Sequence, residues 1–158
     1  MFNIGDKVVY PMHGAGIIEA IEEKEILGKK RKYYIMKMPL GEMKVMIPLD
    51  NVEDIGLREI ISLTEVDQVM AILNDDISKM PQNWNRRYRA NMDKIKSGDI
   101  YEVAMVVRNL TLRDREKGLS TGEKKMLANA KQILISEVVL AGNMEEKTAE
   151  ELVDTSIQ

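Results

Sequence analysis

Lys32-Tyr33-Tyr34-Ile35-Met36-Lys37-Met38 carries the clearest fold signal in the chain. Tyr34, Met36 and Met38 share one side of an extended chain, and Tyr33, Ile35 and Lys37 share the other, which is the period-two pattern of a strand. On either side of it, residues 7–10, 16–22 and 43–47 are further runs rich in Val, Ile and other strand formers. Pro11 and Gly14, then Gly28-Lys29-Lys30, then Leu40-Gly41 punctuate them as turns. Strands this short and this closely spaced predict a small antiparallel barrel rather than a sandwich.

After about Gly56 the apolar spacing becomes helical. Thr64 is expected to cap a helix carrying Val66, Val69, Met70 and Leu73. Pro81 precedes a helix through Trp84 that should stop at Gly98. Asp99 with Glu102 opens another, bearing Val103, Val107 and Leu110 and ending near Gly118. Ser120-Thr121-Gly122-Glu123 is a capping box, a hydroxyl cap with a carboxylate three residues on. The stripe Leu127, Ala130, Leu134 and Val138 follows it until Gly142, and a short acidic helix is expected over 145–153. The fold class expected is α+β: a small antiparallel β-barrel over residues 1–58, then an all-α domain over 59–158.

Composition excludes several classes of function. Hydrophobic residues make up 44% of the 158, too many for wholesale disorder, yet no apolar run is long enough to span a bilayer, so no membrane role is expected. The opening Met1-Phe2-Asn3-Ile4-Gly5-Asp6 lacks a basic segment followed by an apolar one, so a cytoplasmic, bacterial setting is expected rather than secretion. With no cysteine, disulfides and thiolate metal sites are impossible. His13 is the only histidine and cannot build a zinc site of the usual kind, and Gly14-Ala15-Gly16 is too short for a phosphate loop, so this segment reads as a turn. No nucleophile–base pair stands out. The chain is expected to be no enzyme, with no cofactor and no small-molecule substrate.

Charge is unevenly spread. Residues 1–58 balance nine bases against nine acids, residues 59–78 hold five acids and no base, and the tail after 140 has five acids with only Lys147. Between them, residues 79–140 carry thirteen bases and seven acids. Within that block Pro81-Gln82-Asn83-Trp84-Asn85-Arg86-Arg87-Tyr88-Arg89 places the only tryptophan among Arg86, Arg87 and Arg89. Trp84, Tyr88, Met92 and Ile95 fall on one helical face, so Trp84 could be plain core. Its place in the first turn, beside three guanidinium groups, also suits a wedge at an unstacked base step, with phosphates held by the arginines. Lys124 and Lys125 follow a helix start whose N–H groups favour phosphate. Arg113, Arg115, Lys117 and Lys131 fit an ordinary solvated surface, with acids nearby to pair them. In Met43-Lys44-Val45-Met46-Ile47-Pro48, Lys44 and Met46 should face outward on a strand stopped by Pro48, the punctuation of a sheet edge that could accept a strand from another protein.

These residues carry a family likeness. Gly5-Asp6-Lys7-Val8-Val9-Tyr10-Pro11-Met12-His13-Gly14, the tryptophan segment through Asn91, and Gly118-Leu119-Ser120-Thr121-Gly122-Glu123-Lys124-Lys125-Met126-Leu127-Ala128 together resemble the CarD/CdnL family of bacterial transcription regulators, over roughly residues 2–140. The first segment is shared with the polymerase-binding module of the transcription-repair coupling factor; the other two are specific to CarD/CdnL. The resemblance implies a Tudor/SH3-like N-terminal barrel that binds the RNA polymerase β subunit by edge-strand pairing, here around Lys24, Lys44, Met46 and Ile47. It implies a helical domain that touches promoter DNA at the upstream edge of the melted bubble, largely without sequence specificity. The tryptophan matching Trp84 would wedge into the minor groove, and residues matching Arg86, Arg89 and Lys124 would hold the backbone. The outcome would be a stabilised open promoter complex and association with the nucleoid through polymerase. Actinobacterial members carry arginine where this chain has Lys24 and Met46; lysine keeps the charge without the fork and methionine keeps neither.

A chain of net charge −3 should bind free DNA poorly, so docking on polymerase would have to come first and raise the local concentration of the basic patch. The alternative is a protein–protein adaptor whose basic helical face meets an acidic partner instead of DNA.

Overall fold

The computed structural model describes residues 1–157. Five strands, β1 (Lys7–Tyr10), β2 (Gly14–Ile26), β3 (Lys29–Lys37), β4 (Lys44–Pro48) and β5 (Arg58–Glu59), form one antiparallel sheet in the order β4-β3-β2-β1-β5. Tyr34 and Met36 of β3, with Met38 just beyond it, are buried in one core with Val8, Ile18, Ile47 and Leu57, while Tyr33 and Ile35 on the opposite face are buried as well. β2 is longer than its apolar run, because its distal half is an exposed hairpin arm shared with β3. Ile26 pairs with Lys29, and Leu27 and Gly28 between them both have positive φ (54° and 78°), the two-residue turn whose twist matches the flanking strands. A bulge between Ile18 and Ala20 bends β2, and β4 and β5 remain two separate edges.

A 3-10 turn (Leu49–Asn51) and α1 (Val52–Ile55) lead to β5, a short strand that the apolar pattern did not announce. Helices α2 (Leu63–Leu73), α3 (Trp84–Lys96), α4 (Ile100–Lys117), α5 (Thr121–Gly142) and α6 (Glu146–Ser156) complete the chain, so the expected α+β class holds. The cap of α2 differs from expectation. Ser62, not Thr64, is its N-cap: Ser62 Oγ accepts from Glu65 N–H while Glu65 accepts from Ser62 N–H. Asp99 and Ser120 cap α4 and α5 as expected. Val66, Val69, Leu73, Ile95, Val103, Val107, Leu110, Ala130, Leu134 and Val138 all enter one helical core. Among the described residues, no helix is long and apolar enough to cross a membrane.

α5 lies across the start of β2 and joins the two parts. Gly14-Ala15-Gly16, expected as a turn, instead opens β2 beneath this helix, and the turn proper is Pro11–His13. Ala15 N–H donates to Ser136 Oγ at 2.9 Å. A Cβ on Gly14 (φ 110°) would lie 2.7 Å from that hydroxyl, so only glycine permits the approach. Next to it, the fully buried Glu137 carboxylate accepts both Arg58 Nη1–H and Nη2–H at 2.8 Å and Ile61 N–H at 2.9 Å. Arg58 Nε donates to Gly98 O at 2.7 Å, tying β5, α5 and the α3–α4 junction together.

Candidate nucleic-acid interface and sheet edge

α3 begins at Trp84 because Asn83, with extended backbone, accepts Arg86 N–H and caps the helix. Along the Trp84, Tyr88, Met92, Ile95 face, burial grades from one end to the other. Ile95 is 1% exposed, Met92 and Tyr88 are half-buried, and Trp84 is 42% exposed. The spacing therefore identified a true face, and only its first residue leaves the core. The indole stacks on Tyr88 (centroids 5.1 Å apart, 23° between planes) and its Nε1–H donates to Ser120 Oγ at 2.9 Å. It is neither sealed in the bundle nor loose in solvent.

Arg86 and Arg89 on α3, and Lys124 and Lys125 in the opening turns of α5, are all exposed. No ion pair is formed by any of these four among the described residues. The Trp84–Ser120 bond joins the starts of α3 and α5, so all four cations belong to the two helix ends that carry the indole. Arg87 is the correction. It was expected beside Arg86 on the contact surface, but it is 4% exposed and faces α5. Its Nε and Nη2 donate to the Glu123 carboxylate at 2.8 and 3.2 Å, and its Nη1 donates to Gln82 O at 2.9 Å. Buried and held by these bonds, the guanidinium is turned away from the surface that a phosphate would reach. The pair reinforces itself: Arg87 first, then Ser120, holds the Glu123 carboxyl below the usual carboxylate range, while Glu123 raises Arg87 further. Lys131, expected on a solvated surface with acids nearby, pairs with Asp154 of α6 at 2.5 Å.

On the sheet, Lys24, Lys44 and Met46 line one open groove with Glu19, Ala20, Glu22 and Ile35. Both lysines are paired there, Lys24 with Glu22 at 3.6 Å and Lys44 with Glu19 at 3.1 Å, so this face is close to neutral, unlike the helical patch. The register fixes which backbone groups are available. Met38 N–H donates to Met43 O at 2.8 Å, and Met36 pairs with Val45 and Tyr34 with Ile47. Hydrogen-bonded pairs alternate along an antiparallel ladder, so Met43, Val45 and Ile47 direct their N–H and C=O to β3, and Lys44 and Met46 direct theirs to the open edge. Pro48 takes the next outward position, where a missing N–H costs no ladder bond. Ile47 is therefore a second correction: fully buried in the sheet core, it offers an incoming strand neither side chain nor backbone.

The sequence pattern identified Ser120 as a cap and missed it as the partner of Trp84, because no periodicity links residues 36 positions apart. Residues 2–61 match the family described as CarD-like/TRCF RID domain, and residues 68–154 match the CarD C-terminal domain. YdeB of Bacillus subtilis (strain 168), named there as a candidate transcription factor, is 46% identical over 147 residues, covering 93% of this chain and 96% of its own. Two solved N-terminal domains from Myxococcus xanthus are also similar. That of CarD is 36% identical, covers 37% of this chain and 79% of its own, with a TM-score of 0.33. The other, CdnLNt, is 42% identical, covers 39% and 87%, with a TM-score of 0.35. With both family segments matched in order and a relative aligned over nearly its whole length, the chain belongs to the CarD family of transcription factors.

Proposed function

We propose that this transcription factor docks on the RNA polymerase β subunit through the β4 edge and stabilises the open promoter complex with the α3/α5 patch. Trp84 inserts at the upstream edge of the melted bubble while Arg86, Arg89, Lys124 and Lys125 hold the phosphate backbone. The observation that carries this reading is the setting of Trp84. A chain with a single tryptophan leaves it 42% exposed at a helix start, on the two helix ends that also carry four unpaired cations. An exposed ring of this size is costly to solvate and suits an apolar wedge between base steps. Cations without protein partners are free to replace counterions on phosphates, whereas the paired lysines of the β4 groove are not.

The division of labour follows from charge and geometry. At net charge −3, few phosphates can be engaged from free solution, so recruitment by the sheet edge supplies the local concentration. The wedge meets only DNA that is already distorted, so it binds the open state better than the closed one and shifts the equilibrium by that difference. The test is the half-life of open complexes formed by bacterial RNA polymerase with the full-length protein. Trp84→Ala should shorten it roughly five- to 150-fold, the scale of losing one stacked base contact of about 1–3 kcal/mol, while capture of the β subunit is unchanged. An unchanged half-life with a folded variant would remove the wedge. If forked DNA is ignored with and without polymerase, an adaptor that binds an acidic protein takes its place.

A further inference from the structure

Ser120 lies at the crossing of a closed hydrogen-bond circuit. Its hydroxyl accepts Trp84 Nε1–H at 2.9 Å and Glu123 N–H at 3.2 Å, and donates to Glu123 Oε1 at 3.1 Å. A serine hydroxyl has one donor and two acceptor positions, so its capacity is full. Glu123 in turn takes both donated bonds from Arg87, and Arg87 Nη1 returns to the carbonyl of Gln82, two residues before the indole. The route from Trp84 through Ser120, Glu123 and Arg87 thus comes back to the backbone that begins α3. Tyr88 stacks on the ring, and Gly122 of α5 faces it, where a Cβ would be 3.5 Å from the indole.

We infer that Ser120 is a positioning residue for Trp84, its hydroxyl fixing the indole's orientation on the α5 cap so that the exposed part of the ring is presented in one pose. The inference rests on the wedge reading for its effect on promoters, but the pose itself is independent of that reading. A solvent-exposed tryptophan otherwise samples several rotamers, and each must be given up on contact; a ring already held in the contact geometry avoids that loss. The usual reading of a serine at this place is an N-cap alone. A cap needs only the bond from Glu123 N–H, and the indole bond is additional to it.

The single tryptophan makes the test direct, because all indole fluorescence reports Trp84. Full-length Ser120→Gly keeps a residue type accepted at helix starts but removes the hydroxyl, and Ser120→Thr keeps the hydroxyl. The expected result is a new fast component in the Trp84 anisotropy decay of Ser120→Gly and a roughly three- to tenfold shorter open-complex half-life, the scale of one hydrogen bond, with both restored in Ser120→Thr. An indole as rigid in Ser120→Gly as in the wild type would overturn the inference, as would a Thr variant that loses as much as the Gly variant. Trp84→Ala, run alongside, separates the two readings. If it shortens the half-life while a mobile indole in Ser120→Gly does not, positioning is wrong and the wedge stands. If Trp84→Ala itself has no effect, the wedge fails, and the anisotropy decay still decides whether Ser120 holds the ring.

Discussion

Arg87 and Glu123 show how much one residue's surroundings outweigh its type. Both side chains are nearly sealed, and each is satisfied only by the other and by nearby cap and carbonyl groups. Removing one partner strands a buried charge, so Glu123→Ala is expected to cost about 3–5 kcal/mol of stability, measured by urea unfolding. Replacing both by apolar residues of similar volume should cost less than either single change. The pH dependence has a definite sign. The Glu123 carboxyl is held below its ordinary value in the folded state, mainly by Arg87, so it releases its proton more readily there than in the unfolded chain. Its contribution is full above the unfolded pKa of about 4.3 and falls away as pH drops through that value and the lower folded one. Unfolding curves of wild type and a Glu123→Gln variant should therefore converge in acid.

At the scale of the element, β4 is a strand whose two backbone registers have different uses. Lys44 and Met46 direct their N–H groups to the open edge, while Val45 is paired with Met36. Met46→Pro removes an outward donor and leaves the internal ladder intact, as edge prolines do. It is expected to remain folded, with a thermal midpoint within a few degrees of wild type for an edge position away from the core, and to lose capture of the polymerase β subunit. Val45→Pro cuts a bond to β3 and should open the sheet. Equal capture by Met46→Pro and wild type would remove strand addition as the docking mode.

Across the whole molecule, the proposed β4 and α3/α5 contacts are useful together only if their spacing is held. Glu137 does this from the middle of α5, accepting three bonds from Arg58 and Ile61 with no exposed surface of its own. The Arg58 side chain keeps 30% exposure, so the loss in Glu137→Ala should sit near the lower end for a buried pair, about 3 kcal/mol. Faster hydrogen exchange at the Ile61 amide would report the broken junction. Open-complex half-life should fall as well, although Trp84 and β4 are untouched, because a looser link lowers the effective concentration of the patch at the promoter. A half-life equal to wild type, with the junction demonstrably open, would show that the two parts act independently.

Much of this was written in local pattern. The period-two run through Tyr34, Met36 and Met38, the helical stripes through Val107 and Leu134, the caps at Asp99 and Ser120, and the cationic setting of Trp84 all follow from spacing and side-chain type, which act between near neighbours. Even Ile47 was on the inward side of its strand by alternation. Partnership between distant positions was decided only when the chain folded. Nothing local distinguishes Arg87 from Arg86 and Arg89. Only the approach of α5, 36 residues away, gives one guanidinium a buried carboxylate and leaves its neighbours to solvent. The same holds for Glu137, for glycine at position 14, and for Ser120 beneath the indole. A helix face sets which side chains look the same way; which of them meets a partner depends on what the rest of the molecule brings against that face.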